Sequence, residues 1–212
     1  MILSSATKMR IKVYNLIVLV SVLLVVAIAM GAQTDSEASR EYQVKAAFLY
    51  NFIKFVDWPG EETSDSNEPI IIGIIGKDPF GDAFEPVKDK PVRGRKVIIK
   101  SFKGLEELEK SSEKQSQIET IGKCHMLFVC SSEKEKLGEI INLTKDHSVL
   151  TVSDMQGFLE SGGIVNFVID ENKVGFEINN AAARHAKLQV RSQLLRLAKR
   201  VVEEKPPQGK KN

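Results

Sequence analysis

Three histidines and two cysteines are the residues best suited to chemistry in this chain of 212 residues. His125, His147 and His185 stand far apart, and no pair has the His-x-x-x-His spacing that puts two imidazoles on one helical face for a metal. No Gly-x-Ser-x-Gly segment is present to raise a serine nucleophile on a strand-to-helix turn. Gly76 and Gly81 have the spacing of a phosphate-binding loop. Asp82 and Ala83, however, stand where Lys and Ser or Thr are needed to hold phosphate and metal, so the stretch is predicted to be a plain strand-to-helix turn. Most carboxylates fall in charge runs and turns. Asp154 follows a strand end, where α/β sheets carry their ligands, although Ser153 and Gly157 beside it favour a capping role. Asp78, Phe80 and Asp154 thus mark the one alternative to a binding protein: a periplasmic enzyme or small-molecule-binding protein with a pocket near them. The leading expectation is a protein with no catalytic residues, no metal and no cofactor.

Cys124 and Cys130 bracket a predicted strand. Six residues of extended chain span roughly 20 Å at ~3.3 Å each, whereas a disulfide needs Cα atoms within about 7 Å. A Cys124–Cys130 bond therefore requires a shorter or bent strand, and two free, buried thiols are the expectation.

The chain opens on a positively charged region, Lys8, Arg10 and Lys12, followed by an apolar run from Leu16 to Ile28. Ala27-Ile28-Ala29 and Ala29-Met30-Gly31 offer small-residue cleavage sites. Residues 1–32 are read as a cleaved signal peptide that sends the chain to the periplasm. An uncleaved anchor is the competing reading, because the run approaches the ~18 residues of a spanning helix; both predict export. Removing those three cations leaves 27 basic against 28 acidic residues, a net charge of −1. No basic surplus remains for a nucleic acid.

What must position these residues is an α/β domain over 36–202, with a disordered tail over 203–212. A helix is predicted over about 36–57, since Val44, Phe48, Phe52 and Phe55 recur at helical spacing and a second stripe (Ala46, Leu49, Ile53, Val56) nearly closes the cylinder. Only Gln43, Tyr50, Lys54 and Asp57 share a narrow polar face. Pro59 stops the helix by forcing Trp58 out of helical dihedrals. Strands are predicted at 70–75, 97–102, 124–130 and 149–152, helices between them, and a hairpin of 164–169 and 173–178 after Gly162 and Gly163. Ser132 and Ser192 are candidate caps for helices that follow them, the last burying Leu197 and Val201. That order implies a single domain with a mixed sheet of about five or six strands, parallel in its first part, and helices on both faces.

Several ordered blocks carry a resemblance. Lys45-Ala-Ala-Phe-Leu-Tyr-Asn-Phe-Ile-Lys-Phe-Val-Asp-Trp-Pro is similar to the opening signature of the YfiR family of bacterial periplasmic proteins. Gly76-Lys-Asp-Pro-Phe-Gly, Gly94-Arg95, Cys124-His125, Val149-Leu-Thr-Val-Ser-Asp-Met-Gln-Gly-Phe, Gly162-Gly163-Ile-Val-Asn-Phe, Phe176-Glu-Ile-Asn179 and Ser192-Gln-Leu-Leu-Arg196-Leu-Ala follow in the family's order. The resemblance covers about residues 40–200. It implies a non-catalytic regulator that binds the periplasmic part of an inner-membrane diguanylate cyclase and represses it, lowering cyclic di-GMP and biofilm formation. A sensor kinase is the other partner considered, and a second copy of the chain a third. Tyr50, Lys54 and Asp57 on the first helix, with Arg191 and Arg196 near the end, are the expected partner contacts. Asn51, Trp58, Pro59, Gly162, Gly163 and Asn179 are expected to serve structure, Asn51 by bracing backbone groups inside the fold. The family's best-known member is held by disulfides, and two cysteines at this spacing set the chain apart from it.

Overall fold

The computed structural model describes residues 39–60, 68–109 and 112–204. The expected signal segment 1–32 and the tail beyond residue 204 lie outside them. The compact unit begins at Tyr42. None of the described helices is long and apolar enough to cross a membrane.

Helix α1 spans 39–55. Its Ala46, Leu49, Phe52 and Ile53 are completely or almost completely buried. It ends two residues earlier than the apolar spacing predicts. Val56–Asp57 instead forms a short strand, β1, antiparallel to β8, Gln189–Val190. The Arg191 amide donates to the Phe55 carbonyl and the Arg93 guanidinium to that of Val56. The groups that would have continued the helix are thus bound from outside it.

The main sheet has seven strands in the order β3-β2-β4-β5-β6-β7-β9. They are β2 Ile70–Ile75, β3 Val97–Phe102, β4 Met126–Val129, β5 Leu150–Ser153, β6 Val165–Asp170, β7 Lys173–Asn179 and β9 Val201–Val202. The strands from β3 to β6 are parallel, β6 and β7 form an antiparallel hairpin, and β9 lies parallel to β7. The hairpin turns on Glu171 and Asn172, both at positive φ of 47° and 60°, the geometry that matches strand twist in a two-residue loop. The strand beyond the expected number is β9. Val201 was predicted to close a long last helix, but that helix, α6, covers only Ser192–Leu195, and Leu197 is 66% exposed. Its N-cap position is held by Arg191 rather than Ser192.

Each sheet face carries its own core. On one side α1, Ala183 of α5 (Asn180–His185) and Leu194 of α6 cover Ile72, Ile74, Phe128, Phe167 and Phe176. On the other side α2 (Leu105–Glu109), α3 (Lys114–Gly122) and α4 (Leu137–Thr144) cover Ile75, Leu127, Val129 and Phe158. Burying apolar side chains on both faces explains why the parallel strands read as unbroken apolar runs. Gly163 lets the backbone run directly against the Phe158 ring, where a methyl group would collide.

Gly163→Ala is expected to destabilise the domain by about 2–4 kcal/mol, because the buried ring has nowhere to move. Gly138→Ala, in α4 with open space around it, is expected to stabilise by ~0.5–1 kcal/mol. Denaturant titration of both variants reads the two signs.

Candidate functional site

The expected partner contacts separate into two groups. Asp57 lies on β1, and Arg191 follows β8, its pairing partner. Arg191 donates to both carboxylate oxygens of Asp57 through Nε and Nη2, at 2.8 and 2.7 Å, although 134 positions separate them in sequence. Arg93 adds a third bond to Asp57 at 2.9 Å and bonds the Val56 carbonyl at 2.7 Å. The Asp57 carboxyl is held below its ordinary value, chiefly by the hydrogen bond from Arg191, with burial acting the other way. Lys54 stands exposed one turn earlier and donates to Asn51 Oδ1 at 3.2 Å. Arg196 is exposed and reaches Ser192 Oγ at 3.3 Å.

Tyr50 corrects the expectation. It is 4% exposed, within the α1 core, and its hydroxyl points to the Lys88 carbonyl at 3.4 Å. Burial, then the charge of Asp89, pushes its phenol pKa up. Asn51 is reversed the other way: it lies on the surface and braces nothing inside. Beyond Ser39 and Arg40 in its first turn, the exposed residues of α1 are Gln43, Val44, Asn51 and Lys54.

The remaining motif residues hold the frame. Trp58 is buried, donates from Nε1 to the His125 carbonyl at 3.1 Å and sets its ring edge-on to the His125 ring at 5.7 Å. Pro59 follows in the turn that leaves the β1 ribbon. His125 accepts at Nδ1 from the Ile71 amide and lies 3.0 Å from Arg95 at Nε2. Asn179 caps α5 by accepting from the Ala182 amide at 2.9 Å and donates to the Leu159 carbonyl. Gly162 sits at a φ of 96°, which favours glycine.

The alternative pocket residues are engaged elsewhere. Phe80 is core, packed on Tyr42, Phe84 and Phe128. Asp78 accepts from the Phe80 amide at 2.8 Å and from Ser101 Oγ at 3.3 Å. Asp154 pairs with Lys45 Nζ at 2.6 Å and accepts from the Tyr42 hydroxyl at 2.9 Å. Lys45 is 2% exposed, with its ammonium 4.3 Å from the Tyr42 ring centre. Sequence reasoning missed this buried lysine. The signal was present: Lys45 shares the helical stripe of Leu49, Phe52 and Val56.

An open cleft of about 820 Å³ lies beyond the C-terminal ends of β2, β3 and β4, where the strand order reverses. Lys77, Ser101, Gly104, Ser132 and Glu133 line it, and none of Asp78, Phe80 and Asp154 does. Ser132 caps no helix; it accepts from the Lys77 amide and donates to Glu133. Glu133, 6% exposed, accepts from the Leu105 amide at 2.8 Å. Cys124 and Cys130 are free, buried and on opposite faces of the sheet. Burial above all pushes both thiols up to about 12, which keeps them protonated and inert at neutral pH. Among the described residues no group of three or more His, Cys, Asp or Glu is placed to hold a metal.

The family model described as YfiR/HmsC-like matches residues 42–199. No curated protein matches the chain. Among the solved structures that resemble part of it are the following two. A conserved domain protein from Vibrio cholerae has 13% identity over 62% of this chain and 54% of its own, at a TM-score of 0.45. An ABC domain in complex with L-Trp from Streptococcus pneumoniae has 11% identity over 63% and 55%, at the same TM-score of 0.45. The chain spans about half the length of each, and likeness at that level carries no functional information.

The Asp57 latch has a pH signature. Its carboxyl titrates lower in the fold than its ordinary 3.8, so the folded state binds fewer protons than the unfolded chain in that range. Its stabilisation is complete above the unfolded value and is lost as pH falls through the folded one. The melting-temperature gap between the parent and Asp57→Asn is therefore expected to be widest at neutral pH and to close as pH drops below 3.8. Thermal melts across that range read the gap, and a constant one would assign the effect to packing.

Proposed function

The chain belongs to the YfiR/HmsC-like family, and on that premise we propose that it is an exported, non-catalytic regulator that docks on the periplasmic part of an inner-membrane diguanylate cyclase and represses it. The family match over 42–199 carries the reading. What supports a docking role in this chain is an uncovered apolar face. Val44 is 45% exposed, Ile169 53% and Leu197 66%. Val44 lies one turn before Phe48, whose ring packs on Phe167 and Phe176 at 6.0 and 5.6 Å. Ile169 follows Phe167 on the same side of β6, and Leu197 precedes Lys199, whose amide bonds the Phe176 carbonyl. Exposed apolar side chains gathered on one face mark an interaction surface. Arg196 adjoins Leu197 in sequence, Lys54 lies roughly 15 Å along α1 from Val44 at ~1.5 Å per residue, and Arg191 is committed to Asp57.

Deleting the gene in its own host is expected to raise cyclic di-GMP, and re-expressing the parent chain to restore it. Val44→Asp and Leu197→Asp are changes at exposed positions, expected to alter stability by no more than about 0.5 kcal/mol, yet to fail in restoring repression. Cyclic di-GMP that does not respond to the deletion overturns the cyclase as partner, and full repression by both variants overturns this face.

A further inference from the structure

The ribbon of β1 and β8 turns Val56 and Val190 toward the core. Alternation along the strands then puts Asp57, Gln189 and Arg191 on its outer side. Three segments of the chain meet there. The Arg93 guanidinium donates to the Lys54 and Val56 carbonyls at 3.3 and 2.7 Å. The Arg191 amide donates to the Phe55 carbonyl at 2.9 Å, and the Tyr50 hydroxyl points to that of Lys88 at 3.4 Å.

Charge is concentrated in these segments. Residues 54–57, 85–93 and 187–196 together hold seven basic side chains against three acidic ones, a net of +4. The rest of the chain after residue 32 holds 20 basic against 25 acidic, a net of −5. Two of the three carboxylates are already engaged. Asp57 is held by Arg93 and Arg191, and Glu85 by Lys88 at 3.1 Å. Lys54, Lys90, Lys187 and Arg196 are exposed, and among the described residues none of them meets a carboxylate. Lys54 and Arg196 reach only the neutral oxygens of Asn51 and Ser192.

We propose that this face binds the surface of an anionic phospholipid bilayer, its cations meeting the headgroup phosphates. Three features favour lipid over the acidic surface of a protein. Arg93 and Arg191 carry the planar fork that grips a carboxylate, and both are spent on Asp57. Three of the four cations without a carboxylate are lysines, point charges on flexible stems, and they come from three segments. Such an array suits a field of mobile phosphates better than one fixed group. No large apolar side chain of these segments is exposed, and Tyr50 beside them is buried, whereas protein interfaces are anchored by such side chains. Each Lys or Arg near an anionic surface strengthens attachment, and its influence fades over a Debye length of ~8 Å. The charge of the contacting face therefore counts for more than that of the whole chain. Attachment of this kind does not depend on the cyclase as partner, and the substitutions that test it leave Val44 and Leu197 unaltered.

The test uses the chain without residues 1–32, because the apolar run from Leu16 to Ile28 would enter any bilayer; the compact unit begins only at Tyr42. The probes are vesicles of phosphatidylcholine containing about one-third phosphatidylglycerol, and vesicles of phosphatidylcholine alone. The protein is expected to sediment with the anionic vesicles at least about tenfold more strongly than with the neutral ones. That binding is expected to weaken at least about tenfold between about 0.05 and 0.5 M salt. Lys54→Glu combined with Lys90→Glu and Lys187→Glu is expected to weaken it at least about tenfold, at an unchanged melting temperature. Should that variant not fold, Lys90→Gln with Lys187→Gln is expected to weaken it several-fold. Equal binding to the two kinds of vesicle, indifference to salt, or full binding by a folded variant overturns the proposal. A parent chain that binds polyglutamate but neither vesicle overturns lipid as the occupant and assigns the face to an acidic protein segment.

Discussion

Lys45 could not be buried without Asp154. An ammonium taken out of water costs several kcal/mol unless a counter-charge and hydrogen bonds meet it. Here Asp154 meets it at 2.6 Å, and the Tyr42 hydroxyl donates to the same carboxylate oxygen. The pair fixes one end of α1 to the loop after β5. From there the helix lies on an aromatic cluster in which Phe52 packs on Phe167 and Phe176 at 5.7 and 5.0 Å between ring centres. Such a pair adds little net stability over an apolar substitute. What it supplies is register: apolar contacts alone would tolerate a helix that slides, while a buried charge with one partner does not.

The other end of α1 is fixed by exposed charge. Asp57 draws Arg93 and Arg191 from two distant loops, and the ribbon of β1 and β8 forms where they meet. Trp58 then turns the chain inward, with its indole N–H on the His125 carbonyl. The two ends anchor the helix while its outer stripe stays in solvent. A regulator that docks through this face would meet a surface already ordered and would not have to order it on binding.

At the reversal point of the sheet, where α/β proteins commonly hold a ligand, the chain places its own carboxylate. Glu133 takes the Leu105 amide. A Cβ at Gly76 or Gly104 would fall 2.8 or 2.6 Å from its Oε1. Gly76 also carries a φ of 99°. Its glycine thus answers to a close approach and a left-handed backbone, which explains a spacing that looks like a phosphate loop without the residues to serve one.

Most of the fold was legible because period and composition are local properties. The apolar runs marked β2 to β5, the alternation around Glu171 and Asn172 marked the hairpin, and the doubled stripe marked α1 as buried on several sides. The site was far less legible. A helical pattern places Tyr50 beside Lys54 and Asp57, but only the loop carrying Lys88 and Asp89 decides that Tyr50 is covered and Asn51 is not. Sequence spacing could argue against a bond between Cys124 and Cys130, whereas the sheet put the thiols in separate cores. The end of α1, the strand β9 and the latch from Asp57 to Arg191 all depend on segments remote in the chain. Backbone groups at an element's end take whichever donor or acceptor the fold delivers, and that choice is made by packing, which no local pattern contains.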